Sequence, residues 1–130
     1  MREFINADVL SLFDGRPGAR SLYEALAGRL LSEFGDVEIR AQKTQVSFYD
    51  GRMFACASLA RVRRAAERPE PFLTVSIGLS RPLESPRALA VQTRPNRWTN
   101  HVIIGRAEEI DGELMDWLRE ARDFAARPGK

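Results

Sequence analysis

The sequence predicts a single α+β domain: a five- or six-stranded, mainly antiparallel sheet with three helices, two N-terminal and one C-terminal, packed on one face. Three observations predict it. Apolar residues recur at helical spacing near both ends of the chain and at every second position between them. Asp50-Gly51 joins two alternating runs, which is a strong hairpin signal. Helices that flank a block of strands, rather than alternate with them, favour a segregated α+β architecture. The 130 residues suit one domain that buries roughly two thirds of its unfolded surface, with an ordered core over about residues 6–126.

Asn6 caps a first short helix to about Phe13, with Val9, Leu10 and Phe13 on its apolar side. Asp14-Gly15-Arg16-Pro17-Gly18 breaks it. A second helix runs from about Pro17 to Phe34 on a Leu22, Leu26, Leu30 stripe, and Gly35 stops it. Val37, Ile39 and Ala41 then alternate with polar residues, as do Val46 and Phe48, and the strand after Asp50-Gly51 covers Met53 to Ala60. Arg61 to Arg64 continue or end that strand, and Ala65 to Pro71 form a loop. Phe72 to Ser80 is the clearest strand, with Leu73, Val75, Ile77 and Leu79 facing one way and Thr74, Ser76 and Gly78 the other. Pro82, Pro86 and Pro95 argue against a helix over 81–96, leaving Arg87 to Thr93 as an extended segment. Trp98 to Gly105 is the last strand, with Val102 and Ile104 inward. Asp111 caps the closing helix, which runs to about Ala126 and ends before Pro128-Gly129.

Several classes are excluded. The longest stretch without a charge, Pro71 to Ser80, has ten residues, and a membrane helix needs about twenty. Glu3 and Asp8 lie where a signal peptide would need an apolar stretch. The single Cys56 excludes an internal disulfide and a multi-cysteine metal site. The expectation is a cytoplasmic protein with no membrane partner, no metal and no cofactor. Phosphate-binding glycine loops, dinucleotide fingerprints and Gly-x-Ser-x-Gly elbows are absent from the sequence.

The net charge of +2 hides a segregation. Residues 1–39 carry −3, residues 40–106 carry +8 and residues 107–130 carry −3, with arginine supplying 18 of the 20 cations. Three helices cover only one face of such a sheet, so the other is solvated or binds something. That open face is expected to present Lys43, Gln45, Ser47, Tyr49, Thr74, Ser76, Thr99 and His101, with Arg81, Arg97 and Trp98 at its rim. Small residues at Thr74, Ser76 and Gly78 leave a concavity there.

Five stretches carry a resemblance: Lys43-Thr44-Gln45-Val46-Ser47-Phe48, Met53-Phe54-Ala55-Cys56, Arg81-Pro82-Leu83-Glu84-Ser85-Pro86-Arg87, Pro95-Asn96-Arg97-Trp98-Thr99-Asn100-His101-Val102-Ile103-Ile104, and Glu109 to Ala121. In this order they resemble a bacterial family named domain of unknown function 5655, over residues from about 12 to 125. The resemblance implies an antiparallel sheet with helices on one side and a cytoplasmic protein, and it implies no activity. Members often carry a second histidine where this chain has Asn100, which weakens any scheme built on a histidine pair.

Three functional readings follow. The leading one is a non-catalytic module that binds an anion, nucleic acid above all, with a small carboxylate or phosphate compound as the other size of anion. It rests on the +8 segment, with Arg and Lys on phosphates and Tyr49 or Trp98 for stacking. The second is an enzyme acting on a small anionic substrate, with His101 as general acid or base and Lys43 as the electrostatic clamp. The third is a homodimer whose open face is covered by a second copy. Against these stand ordinary roles: a hydrogen-bonded structural His101, a buried inert Cys56 thiol, Trp98 as a core anchor, and acidic helices paired with the basic sheet of the same molecule.

Overall fold

The structure, a computed structural model, describes residues 5–127. The elements are α1 (Ala7–Leu12), α2 (Pro17–Phe34), β1 (Glu38–Ala41), β2 (Gln45–Asp50), β3 (Arg52–Ser58), β4 (Leu73–Leu79), β5 (Ala88–Arg94), β6 (Arg97–Ile104) and α3 (Gly112–Ala126), with short 3₁₀ turns at Ala65–Glu67 and Ala107–Glu109. The six strands form one fully antiparallel sheet in the order β1-β2-β3-β4-β6-β5. The predicted α+β class, with two helices before the sheet and one after it, is the fold found. The expected end at Pro128-Gly129 lies outside the described residues. No helix among the described residues is long and apolar enough to cross a membrane.

Caps set the helix ends. Asn6 Oδ1 accepts the Val9 amide at 3.0 Å, and Asp111 Oδ1 accepts the Leu114 amide at 3.0 Å. Pro17 opens α2, where its fixed φ suits the first turn, and Gly35 closes it at φ 76°. Gly51 takes the positive φ (76°) that the β2–β3 turn demands.

One hydrophobic core lies between the sheet and the helices. Val46, Phe48, Ala55, Ala57, Val75, Ile77, Val102 and Ile104 line it from the strands, and Leu22, Leu26, Leu30, Leu114 and Leu118 from the helices. Val9 and Phe13 enter it as expected, whereas Leu10 is turned outward and exposed. Met115 of α3 is buried as well.

The pairing of β2 with β3 shifts register between Phe48 and Tyr49, so that Phe54 is an extra residue opposite that step. Phe54 is buried and its ring lies 6.2 Å from that of Phe34 on α2. The sheet has a consequence of this kink at β4. Its pairing with β3 ends at Ile77, while its pairing with β6 continues through Gly78 and Leu79. The last two residues of β4 therefore have no β3 partner beside them.

The chain connection also matters. β5 lies outside β6, so β4 and β6 are direct neighbours. The 80–87 connection is held by Asn100 of β6, whose Oδ1 accepts the Leu83 amide at 2.8 Å and whose Nδ2 donates to the Arg81 carbonyl at 3.2 Å.

Candidate anion pocket at the end of β4

The face of the sheet away from the helices is read directly from the register. Cross-strand partners share a face, which places Arg40, Ser47, Cys56, Ser76, His101 and Leu89 in one row across all six strands. Gln45, Ser58, Thr74 and Ile103 form a second row, and Gly78 and Thr99 begin a third. The predicted residues Gln45, Ser47, Tyr49, Thr74, Ser76, Thr99 and His101 thus share one side of the sheet.

They are not equally available. Ser47 and Thr74 are fully buried. The Ser47 hydroxyl donates to Gln42 Oε1 at 3.0 Å and accepts from Gln45 Nε2 at 2.8 Å, and Thr74 donates to the Ala60 carbonyl at 2.7 Å. The Arg40 guanidinium sits 4.2 Å above the Tyr49 ring. This half of the face satisfies itself.

Three other predicted residues lie elsewhere. Lys43 is exposed in the turn between β1 and β2. It is three strands and one turn from His101, roughly 15 Å or more by strand spacing alone, so the fold does not bring a Lys43–His101 pair together. Arg81 turns to the helix side and makes a bidentate pair with Glu120 of α3, at 2.9 Å for each bond. Trp98 is the cross-strand partner of Leu79 and so belongs to the helix side, half-exposed at its edge.

The basic central segment is also partly neutralised. Arg40 pairs with Glu38, Arg63 and Arg64 with Glu67, Arg81 with Glu120, and Arg87 with Asp111 and Glu113. Acidic side chains of α3 and its cap pair with Arg81 and Arg87 of the 80–87 connection, not with arginines of the strands.

A cavity of about 290 Å³ opens at the end of β4, running from Cys56, Ser76 and Gly78 past Thr99 to the last turn of α3 at Phe124. It exists for two reasons: β3 has already left the ladder, and a Cβ placed on Gly78 would meet nothing within 4 Å. Its floor is polar, its far wall is Phe54, Trp98 and Phe124, and its rim is Arg94 and Arg97.

The two rim arginines come from one turn. In Arg94-Pro95-Asn96-Arg97, Pro95 fixes the first turn position and Asn96 takes φ 61° at the second, the combination of a type II turn. This makes Arg94 and Arg97 direct cross-strand partners. Like charges directly opposite one another are destabilising, and neither has a carboxylate partner among the described residues. The Arg97 guanidinium is 5.7 Å from the Phe124 ring.

Behind the rim, Ser76 Oγ and His101 Nδ1 are 2.8 Å apart. Burial holds the His101 pKa below its ordinary value. Burial pushes the Cys56 thiol upward, and its hydrogen bond with Ser76 only partly opposes this, so half-buried Cys56 keeps its proton at neutral pH. Among the described residues no group of three His, Cys, Asp or Glu side chains is placed to hold a metal.

Arg97, Ser76, Thr99 and the small residue at 78 are legible in the sequence as parts of this site, and Arg94 is not among them. The signal for it was the Arg-Pro-Asn-Arg turn, whose two ends are obliged to meet.

A family model described as Domain of unknown function (DUF5655) matches residues 9–125. The chain belongs to this family. The match spans every strand and all but the first two residues of α1 and the last of α3, so the DUF5655 domain is the whole sheet with its helices, the cavity included. No curated protein and no solved structure matches the chain.

Proposed function

We propose that this DUF5655 domain binds a small organic anion, a carboxylate or phosphate compound with an apolar body, in the cavity at the end of β4. The observation that carries the reading is the Arg94–Arg97 pair: two arginines at directly opposed positions of one turn, both lining the cavity, with no carboxylate partner among the described residues. A bound anion would relieve their repulsion and accept a fork of hydrogen bonds from each. Ser76 and Thr99 supply neutral polar contacts, and Phe54, Trp98 and Phe124 an apolar wall, which is the usual composition of a small-molecule site.

The nucleic-acid form of the anion reading has less support. Five of the arginines between residues 40 and 106 are in ion pairs. Of the others, Arg52, Arg94 and Arg97 lie at one end of the sheet, while Arg61, Arg68 and Arg106 lie beyond the opposite ends of the strands. A backbone-tracking groove needs a continuous basic stripe, and the cavity volume suits a small molecule.

Calorimetric titration with phenyl phosphate, benzoate and a single-stranded oligonucleotide tests the reading. The expected result is binding of the small anions, weakened about tenfold or more in Arg94→Gln/Arg97→Gln, since hydrogen bonds to charged groups are the strong ones. Binding that ignores both arginines, or no binding of either small anion, overturns it. Tight, salt-dependent binding of the oligonucleotide alone would favour the nucleic-acid form instead.

A further inference from the structure

We infer that Ser76 is a His101-activated nucleophile beside the anion cavity, equipped to take the acyl group from an ester of a small acid that also carries a carboxylate or phosphate. The inference rests on the small-anion reading above and adds a reaction to it.

The geometry has three parts. Ser76 faces the cavity, so its hydroxyl can reach a molecule held there. His101 is the cross-strand partner of Ser76 on β6, and its Nδ1 lies 2.8 Å from Ser76 Oγ, within proton-transfer reach. The Arg94–Arg97 rim lies beyond Ser76 along the same cavity and would hold the distal anionic group, so that the ester carbonyl comes to rest over the serine. Burial favours the neutral imidazole, and in its Nε2-protonated tautomer Nδ1 accepts the Ser76 proton across the 2.8 Å contact. His101 Nε2 has no hydrogen-bond partner among the described residues, so the pair is a dyad without an orienting carboxylate, and slow turnover is expected.

The step balances without an added oxidant or reductant. Ser76 Oγ forms a bond to the carbonyl carbon as its proton moves to His101 Nδ1. The carbon–oxygen bond to the alcohol breaks, and the alcohol leaves with the proton from His101. Water then attacks the acyl-serine, gives one proton to His101, and the acid departs as Ser76 Oγ recovers that proton.

Cys56 is the competing group. It shares the row with Ser76, and its upward-shifted thiol makes it the poorer nucleophile at neutral pH.

The experiment uses mono-4-nitrophenyl succinate, an activated ester with a carboxylate tail, on the full chain and on Ser76→Ala, His101→Gln and Cys56→Ala, with nitrophenolate release and peptide mass mapping as readouts. The expected result is a burst with the acyl group on Ser76. It is lost in Ser76→Ala and slowed about a hundredfold or more in His101→Gln, and in Cys56→Ala whatever label forms still maps to Ser76. Acylation at Cys56, or release unchanged by Ser76→Ala, overturns the inference. So does an absence of labelling in a protein that still binds benzoate, which leaves the anion reading standing. Failure to bind benzoate and phenyl phosphate removes that reading and this one with it. Circular dichroism of each variant guards against misfolding, and His101→Gln carries the test should Ser76→Ala not fold.

Discussion

Asn100 and His101 are adjacent in sequence and stand back to back, one on each side of the sheet. Asn100 is fully buried on the helix side and His101 is half-buried on the open one. A histidine at position 100 would therefore face α3 and the 80–87 connection rather than His101. Alternation forbids a histidine pair from these two positions.

The same placement makes Asn100 a structural pin. Its side chain satisfies the Leu83 amide and the Arg81 carbonyl. Asn100→Ala leaves buried backbone groups without partners and is expected to cost about 1–3 kcal/mol. Urea unfolding checks this. A loss below about 0.5 kcal/mol would mean that water replaces the amide at no cost.

His101 gives a pH dependence with a definite sign. Its folded pKa is depressed by burial below the ordinary 6.5. The unfolded chain thus binds a proton first as pH falls, and the stability His101 contributes is present above 6.5 and lost as pH drops through the folded value. Its partners on either side, Ser76 and Leu89, carry no charge that would offset this. Urea midpoints should fall between about pH 7 and pH 5, and His101→Gln should flatten that segment. An unchanged slope in the variant would assign the loss to the carboxylates.

Gly78→Val separates fold from ligand. The backbone at Gly78 is not in the left-handed region, and a Cβ there meets open space. A β-branched side chain also suits a strand better than glycine. Stability should stay within about 1 kcal/mol of the parent, while phenyl phosphate binding is abolished because valine occupies the floor of the cavity. Retained binding would place the ligand elsewhere.

Two arginines that pair with α3 should differ in weight. Arg87 is half-buried and bonds Asp111, Glu113 and the Glu109 carbonyl (2.7 Å), with its guanidinium 5.6 Å from the Trp117 ring. Arg81 is half-exposed and bonds Glu120 alone among carboxylates. Thermal melts are expected to show Arg87→Ala losing about 1–3 kcal/mol and Arg81→Ala no more than about 1 kcal/mol. The opposite order would contradict the burial of Arg87.

The sequence announced what local chemistry decides. The bounds of α2 follow from Pro17 and Gly35, the start of α3 from Asp111, and the faces of β4 and β6 from alternation. It hid what depends on distant segments. Phe54 fits either register by hydropathy, and only the position of Phe34 reveals the extra residue. Thr74 and Ser47 look like open-face residues because the groups that bury them, the Ala60 carbonyl and Gln42, lie outside the strands. Arg81 finds Glu120 thirty-nine residues away. The site suffered most, because chain order suggests that β5 follows β4 in space. In the fold β5 passes to the outside, and that crossover alone sets His101 beside Ser76.

The extra residue at Phe54 sets the width of the cavity's mouth without touching the core. Deleting one position in β3 would re-zip the ladder past Ile77 and close the mouth beside Gly78. Adding one would widen it, while Phe48, Val75 and Ile77 kept their packing. Pocket depth in this chain is thus a matter of strand length, set by a single codon in β3.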